Sequence, residues 1–319
     1  MTNLTRRDLL KTSLIAPAVA AAAHEAVAHG SPPMGHMPKA AASGPLPAGA
    51  AAESPGPGSG RERLLLDFGW RFHFGHADDP AKDFGFGGGR FGNFQKTGNF
   101  LPASGLAFDD SAWRALDLSH DWAVELEFKN DPALSSKGFY PLGRAYPETS
   151  IGWYRRVFEL SASDAGKRIS IEFDGAYRET MVVFNGFYIG QHSGGYDPFS
   201  FDVTDFATPG GRNVLLVRVD ATLSDGWFYE GAGIYRHVWL VKTHPVHVKQ
   251  WGTFVVAQAR PGEAAVSIHT EVDNHAKGTQ STRVISTILD PSGNAVGKAA
   301  TALASIPEWE RIPMSRRLW

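Results

Sequence analysis

Apolar and polar residues alternate with a period of two along much of the chain from residue 152 onward. In the clearest run, Ile169, Ile171 and Phe173 alternate with Ser170 and Glu172. This period is typical of a β-strand with one buried face, because successive side chains of a strand point to opposite sides. No amphipathic helical pattern is evident in this stretch, so the sequence predicts an all-β fold.

Turn residues separate these runs. Residues 181–184 and 187–190 flank Asn185-Gly186, a dipeptide that favours a tight β-hairpin. Two further runs, 213–220 and 237–241, are rich in Val and Leu, as expected of strands. Many short strands punctuated by Gly, Pro and Asn favour a β-sandwich.

The region before residue 152 is less regular. Residues 64–72 predict a first strand that enters the core. Residues 83–100 are rich in Gly and Phe, with no apolar strand before them and no helical period after them. A phosphate-binding loop needs both, so a long surface loop is the better interpretation.

A second alternating region begins after Pro245, at residues 246–256 and 264–272. Residues 290–294 predict a turn after a strand at 283–289, whereas 306–319 show no strand alternation. A complete immunoglobulin-like sandwich needs roughly 100 residues. The sequence therefore predicts two domains, at 61–244 and 245–319, of which the second is a truncated sandwich.

The N-terminus has the pattern of an export signal. Residues 5–11 (TRRDLLK) fit a twin-arginine motif, and a short apolar run follows at 14–23. Ala26-Val27-Ala28 offers a small-residue cleavage site, so residues 1–28 are predicted to be removed on export to the periplasm or medium. The alternative is a cytosolic basic N-terminus followed by an alanine helix. Residues 29–60 are mostly Pro, Gly, Ala and Ser, and predict a disordered linker.

Composition narrows the function classes. The formal net charge is −2, which gives no electrostatic reason to expect nucleic acid as a partner. Cysteine is absent, which excludes disulfides, thiolate metal sites and a cysteine nucleophile. No window of 18 apolar residues lies in the body of the chain, so no membrane contact is expected after signal removal.

The densest candidate chemistry lies in the loop between two predicted strands. Asp225, Trp227, Tyr229 and Glu230 combine carboxylates with aromatic rings, and paired glycines follow. Aromatic faces can stack on the CH faces of sugars, while carboxylates accept hydrogen bonds from sugar hydroxyls. These four residues are the predicted substrate-binding set. The alternative is a tightly packed β-corner that binds no ligand.

Several motifs, taken in order, resemble the N-terminal sugar-binding domain of glycoside hydrolase family 2, over roughly residues 61–270. They are 108–114 (FDDSAWR), 118–122 (LSHDW), 152–158 (GWYRRVF), 173–175 (FDG), 183–186 (VFNG), 194–196 (GGY), 201–204 (FDVT) and 231–236 (GAGIYR). The family includes β-galactosidases, β-glucuronidases and β-mannosidases.

The resemblance implies a jelly-roll sandwich, then an immunoglobulin-like domain, then a catalytic barrel that carries two glutamates and hydrolyses glycosides with retention. A barrel takes about 250 residues, so no catalytic residue is assigned to this chain. The expected function is the N-terminal part of an exported β-galactosidase-like glycosidase with a carbohydrate substrate. The alternative is a stand-alone carbohydrate-binding module. The resemblance also allows a homo-oligomer of the intact enzyme.

In the β-galactosidase branch, an aspartate followed by glycine at this loop contacts the terminal sugar and helps to hold a sodium ion. Ser224-Asp225-Gly226 matches that pattern. The residues that follow depart from it and resemble the shorter loop found elsewhere in the family. No cofactor is therefore expected here, and a sodium ion is left to the intact enzyme.

Other conspicuous residues have structural interpretations. Trp113, Trp122, Trp153 and Trp239 lie in strand-like runs and are expected to pack in the core. His120-Asp121 resembles a dyad, but adjacent residues of a strand face opposite sides, which favours a structural role. Arg236 either pairs with Glu230 or Asp225, or is a solvated residue at a strand end.

Overall fold

The computed structural model describes residues 60–87, 101–129, 140–223 and 229–318. The predicted signal at 1–28, nearly all of the predicted linker at 29–60 and most of the predicted loop at 83–100 lie outside the described residues. Within those ranges the chain is all-β, with only short 3-10 turns besides the strands. No helix there is long and apolar enough to cross a membrane.

The first ten strands form two antiparallel sheets. In chain order they are β1 (Arg61–Leu65), β2 (Trp70–Phe74), β3 (Arg114–Leu116), β4 (Ile151–Glu159), β5 (Arg168–Phe173), β6 (Thr180–Phe184), β7 (Phe187–His192), β8 (Phe199–Asp202), β9 (Arg212–Asp220) and β10 (Val238–Thr243). One sheet has the order β1-β10-β5-β8, and the other has the order β3-β2-β4-β9-β6-β7. Together they make the predicted jelly-roll sandwich.

Large apolar side chains fill the space between the two sheets. Trp70, Trp122, Tyr154, Phe173 and Leu215 are all fully buried. Burial of each such side chain contributes about 1.5–3 kcal/mol to folding. The alternation along β5 is as predicted from the sequence, since Ile169, Ile171 and Phe173 belong to this core.

Residues 64–72 are not one strand, and that prediction is wrong. The chain leaves β1 after Leu65 and re-enters as β2 in the opposite sheet. Asp67 holds this crossing, because its carboxylate accepts hydrogen bonds from the backbone of Val238 (2.9 Å) and from the ring of His237 (2.6 Å). Gly69 follows with a φ of +73°, which turns the backbone between the sheets.

A second apolar cluster covers the outer face of the six-stranded sheet. Trp113 and Trp153 lie in it, together with partly buried Phe84 and Phe86 from the start of the predicted 83–100 loop. The buried Asp83 carboxylate accepts a hydrogen bond from the indole of Trp153 (2.6 Å) and pairs with Arg218. The described beginning of this loop therefore packs on the sheet.

The remaining strands form one sheet and two ribbons. They are β11 (Val246–Arg260), β12 (Glu263–Asn274), β13 (Gln280–Thr282), β14 (Ile285–Leu289), β15 (Ala295–Ala300), β16 (Ala304–Ile306) and β17 (Arg311–Leu318). The sheet has the order β11-β12-β17, while β13 pairs with β16 and β14 with β15. The apolar cluster of this region is small and centres on Val272, Ile306 and Met314.

The prediction of no strand at 306–319 is also wrong. β17 pairs antiparallel with β12, from Arg311 opposite Asp273 to Leu318 opposite Val266. The start of this pairing is fixed by an ion pair between Arg311 and Asp273, with an N–O distance of 2.5 Å. An existing strand edge supplies backbone hydrogen-bond partners, and these do not require alternating side chains.

Candidate functional site

A tyrosine and an aspartate meet at one end of the sandwich. The Tyr229 hydroxyl donates a hydrogen bond to Oδ2 of Asp121 over 2.6 Å. The other carboxylate oxygen of Asp121 accepts from the backbone N–H of Ala123 (3.0 Å) and of Ala232 (2.8 Å). Tyr229 is 55% exposed, so the aromatic ring and the carboxylate meet at the surface.

Local structure fixes the position of this carboxylate. Asp121 is the N-cap of the 3-10 turn Trp122–Glu125, and the Trp122 indole is fully buried. The backbone of this segment pairs with the far end of the central loop, since His120 N–H donates to Ile234 (2.8 Å) and Trp122 N–H to Ala232 (2.9 Å). The carboxylate is thus held at both sides before any ligand arrives.

Gly231 is required by this close approach. A Cβ placed on it would lie 2.5 Å from Oδ2 of Asp121, closer than real Cβ contacts allow. The glycine that the sequence places after Glu230 therefore makes room for the Asp121 side chain.

The buried His120 ring, next to Asp121 in sequence, is held by polar contacts. The His120 ring hydrogen bonds to the Tyr154 hydroxyl (2.7 Å) and lies 3.3 Å from the Glu125 carboxylate, which Arg114 binds with both terminal nitrogens at 2.6 Å. Burial lowers the pKa of His120, so the imidazole stays neutral at pH 7. His120 is buried and Asp121 lies nearer the surface, although neither residue is in a strand, contrary to the expectation from the sequence.

Further aromatic residues border Tyr229. The Tyr196 hydroxyl donates to the Tyr229 carbonyl over 2.8 Å, and the Tyr177 ring lies 5.5 Å from that of Tyr196. Burial, followed by the charge of Glu230, raises the pKa of Tyr177. Burial and the hydrogen bond to Asp121 likewise raise the pKa of Tyr229. These phenols remain protonated and can serve as hydrogen-bond donors.

The predicted site residues have different environments. Asp225 and Trp227 lie outside the described residues. Tyr229 is exposed, whereas Glu230 is 3% exposed and interacts with Tyr177. Glu230 is thus placed to support the aromatic residues rather than to face solvent. Asp121 was not among the predicted site residues. The sequence signal for it was its place in the LSHDW motif, directly before Trp122, which was expected to pack in the core.

The tryptophans and Arg236 follow the structural interpretations in part. Trp113, Trp122 and Trp153 are buried, as predicted. Trp239 is only half-buried, and the Arg63 guanidinium lies 3.7 Å above its ring. Arg236 is exposed and forms no ion pair with any residue that the structure describes.

The arrangement at Asp121 and Tyr229 is suited to binding a polyol. A fixed carboxylate accepts hydrogen bonds, phenols donate them, and an exposed ring offers an apolar face. No group of three or more metal-ligating side chains comes together within the described ranges.

Comparison with known proteins identifies the domain. Residues 110–244 match the family model "Glycosyl hydrolases family 2, sugar binding domain". The β-galactosidase BoGH2A of Bacteroides ovatus is 36% identical over 247 residues, which are 76% of this chain and 26% of that protein. A β-glucuronidase of Bacteroides fragilis is 31% identical over 65% of this chain and 30% of its own length.

Comparison with solved structures gives the same family. A family 2 glycosyl hydrolase from Bacteroides cellulosilyticus superposes with a TM-score of 0.66 at 28% identity, covering 80% of this chain and 30% of that chain. The structure of Bacteroides uniformis β-glucuronidase 2 gives a TM-score of 0.62 at 26% identity, covering 81% and 27%. The chain thus spans about a third or less of the length of these relatives. Through its sugar-binding domain, it belongs to glycoside hydrolase family 2.

Proposed function

We propose that this chain is the N-terminal part of an exported β-galactosidase-like glycosidase, and that its jelly roll forms one wall of the sugar site. The observation that carries the proposal is the fixed Asp121 carboxylate with the exposed Tyr229 ring beside it. Asp225 and Trp227 complete this wall in the proposal, because they belong to the same loop as Tyr229.

The wall would bind and orient the sugar. A sugar hydroxyl can donate to Asp121 Oδ2, which already accepts one hydrogen bond from Tyr229 and has capacity for a second. A hydrogen bond to a charged group contributes about 1.5–3 kcal/mol, and the Tyr229 ring adds an apolar face. Backbone N–H groups hold the carboxylate in place, so little ordering cost is incurred on binding.

Hydrolysis itself needs two carboxylates flanking the scissile bond. The resemblance assigns both to a catalytic barrel, which would act on the sugar held against this wall. Purified chain should therefore hydrolyse chromogenic galactosides and glucuronides no faster than a buffer control. Clear turnover by the chain that is abolished by Asp225→Asn would place the chemistry within these residues and overturn the proposal.

The second candidate is a carbohydrate-binding module that works alone. It is favoured by one observation, that backbone contacts within the chain already fix the Asp121 carboxylate. If the chain alone binds galactose as tightly as a family 2 β-galactosidase binds it, this second function is the better one. Millimolar binding by the chain supports the first.

Export is part of the proposal. The order of basic motif, apolar run and small-residue site at residues 5–28 supports passage through the twin-arginine pathway into the periplasm or medium.

A further inference from the structure

A cleft lies next to the Asp121 site. It is one residue pair further along the backbone hydrogen bonds that join residues 120–122 to residues 232–234. The N–H of His120 donates to Ile234, and this pair separates Asp121 and Ala232 from Ser119 and Tyr235. The cleft has a volume of about 450 Å³, within the range of small-molecule sites. Its lining includes Ser119, Asp174, Tyr235, Arg236, His237 and Trp251.

Arg236 brings a positive charge to the lining of this cleft. Two acidic groups lie nearby. The Asp174 carboxylate accepts from Arg63 (3.2 Å) and from the Trp239 indole (2.9 Å). The Asp197 carboxylate, whose charge acts on Tyr235, lies 3.2 Å from the His192 ring. Arg236 itself is exposed and forms no ion pair in the described part of the chain. Among the described residues its guanidinium therefore has no carboxylate partner, while Asp225 lies outside them.

The stem of Arg236 and the Tyr235 ring are held in place by close packing. Gly175 lies close beneath them, since a Cβ on it would lie 2.7 Å from the Tyr235 hydroxyl and 3.1 Å from Cδ of Arg236. The Tyr235 hydroxyl donates to the Gly195 carbonyl over 2.9 Å. Tyr235 is thus fixed by a hydrogen bond, and Arg236 lies next to it in the lining of the cleft.

Trp251 also lines the cleft, and its backbone conformation is unusual. Its φ is +54°, which is rare for a bulky residue, and it lies where the β11–β12 register shifts between Val248 and Thr253. Such bulges redirect side chains, and here the indole is 60% exposed beside the cleft. The exposed indole offers an aromatic face at the cleft.

We propose that this cleft binds a sugar acid, a hexuronate or a chain that ends in one, separately from the Asp121 site. The guanidinium fork of Arg236 matches a carboxylate in geometry and charge. The Trp251 indole stacks on the sugar ring, and Ser119 with the exposed His237 ring supplies polar partners for hydroxyls. His237 already binds Asp67 through Nδ1 (2.6 Å), which leaves its other nitrogen for the ligand.

Both features are needed to select this ligand class. A neutral sugar would leave the guanidinium without an acceptor, and a simple carboxylate such as acetate would leave the indole uncovered. With one charged contact and one stacking face, the expected dissociation constant is about 1 mM.

The test is a titration of the chain, with 15N-labelled tryptophan indoles, using D-glucuronate, D-glucose and acetate. The Trp251 indole signal, assigned with Trp251→Phe, should shift saturably with glucuronate. Glucose and acetate should each bind on the order of tenfold more weakly. An equal response to acetate, an equal response to glucose, or no shift of Trp251 would each overturn the proposal.

Variants separate this cleft from the Asp121 site. Arg236→Gln should abolish the glucuronate shift, while Arg236→Lys should retain part of it, because lysine keeps the charge but loses the fork. Tyr229→Phe is the matched control, since it alters only the neighbouring site and should leave the Trp251 response intact. Unchanged indole signals of the buried Trp122 and Trp153 show that each variant is folded. A glucuronate shift that survives Arg236→Gln would contradict the assignment.

Discussion

The hydroxyl of Tyr229 lies 2.6 Å from the carboxylate of Asp121, although 108 residues separate them in sequence. The contact depends on two backbone hydrogen bonds that join residues 120–122 to residues 232–234. A loop that looked like a self-contained group of carboxylates and aromatics is therefore half of a site. The other half comes from a turn after β3.

The space at Gly231 should prove essential for this contact. Gly231→Ala places a methyl group 2.5 Å from Asp121 Oδ2, so the carboxylate or the loop must move. We expect a loss of about 1–3 kcal/mol in the free energy of unfolding, measured by urea denaturation. Gly105→Ala is the matched control, because its Cβ would lie 3.5 Å from its nearest neighbour and its φ is −87°. Equal effects of the two substitutions would contradict the role of Gly231.

Stability should fall in mild acid because of His120. Burial lowers the pKa of this imidazole in the folded state, while the unfolded histidine titrates near pH 6.5. Below about pH 6.5 the unfolded state therefore binds more protons, and stability decreases as the pH falls toward the folded pKa. Melting temperatures between pH 8 and pH 5 should show a shallower pH dependence in His120→Gln than in the parent chain.

The control for that slope is His73→Gln, since His73 is exposed. The parent and His73→Gln should lose melting temperature in parallel. His247, whose pKa is also lowered by burial, should preserve part of the slope in His120→Gln. A His120→Gln slope identical to that of the parent would show that His120 does not resist protonation.

Hydrogen exchange should differ between the two β-regions. β9 is buried along nearly its whole length, whereas the second half of β11 is exposed, with Phe254 at 65% and Val255 at 53%. Amides of β9 should exchange only with global unfolding. Amides of residues 253–260 of β11, and of residues 263–270 of β12 that pair with them, should exchange much faster. Uniform protection across both regions would mean that the second region has a cooperative core of its own.

Sequence patterns were sufficient for the regular parts of the fold. The period of two identified β5, and Asn185-Gly186 predicted the β6–β7 hairpin, in which both residues adopt the positive φ that the tight turn needs. The crossing at Asp67 and strand β17 were missed, because each depends on partners distant in sequence. Asp121 was missed for the same reason, since its role comes from a loop 108 residues away.

Export predicts a new N-terminus. Mass spectrometry of the secreted or periplasmic protein should show a chain that begins after about residue 28, where the small-residue motif ends. Replacing both Arg6 and Arg7 with lysine should retain the full-length chain in the cytoplasm. An intact N-terminus in the parent, unaffected by these substitutions, would contradict twin-arginine export.

NMR titration of the 15N-labelled chain with D-galactose tests sugar binding at Asp121 and Tyr229 most directly. A sugar-binding wall at this position should give saturable shifts at Asp121, Tyr229 and Ala232, with a dissociation constant of about 1 mM or weaker. The shifts should be lost in Asp121→Asn, which keeps the N-cap but removes the charge, and unchanged in Arg236→Gln. Shifts that persist in Asp121→Asn, or no response at these residues at saturating sugar, would contradict a sugar-binding wall at Asp121 and Tyr229.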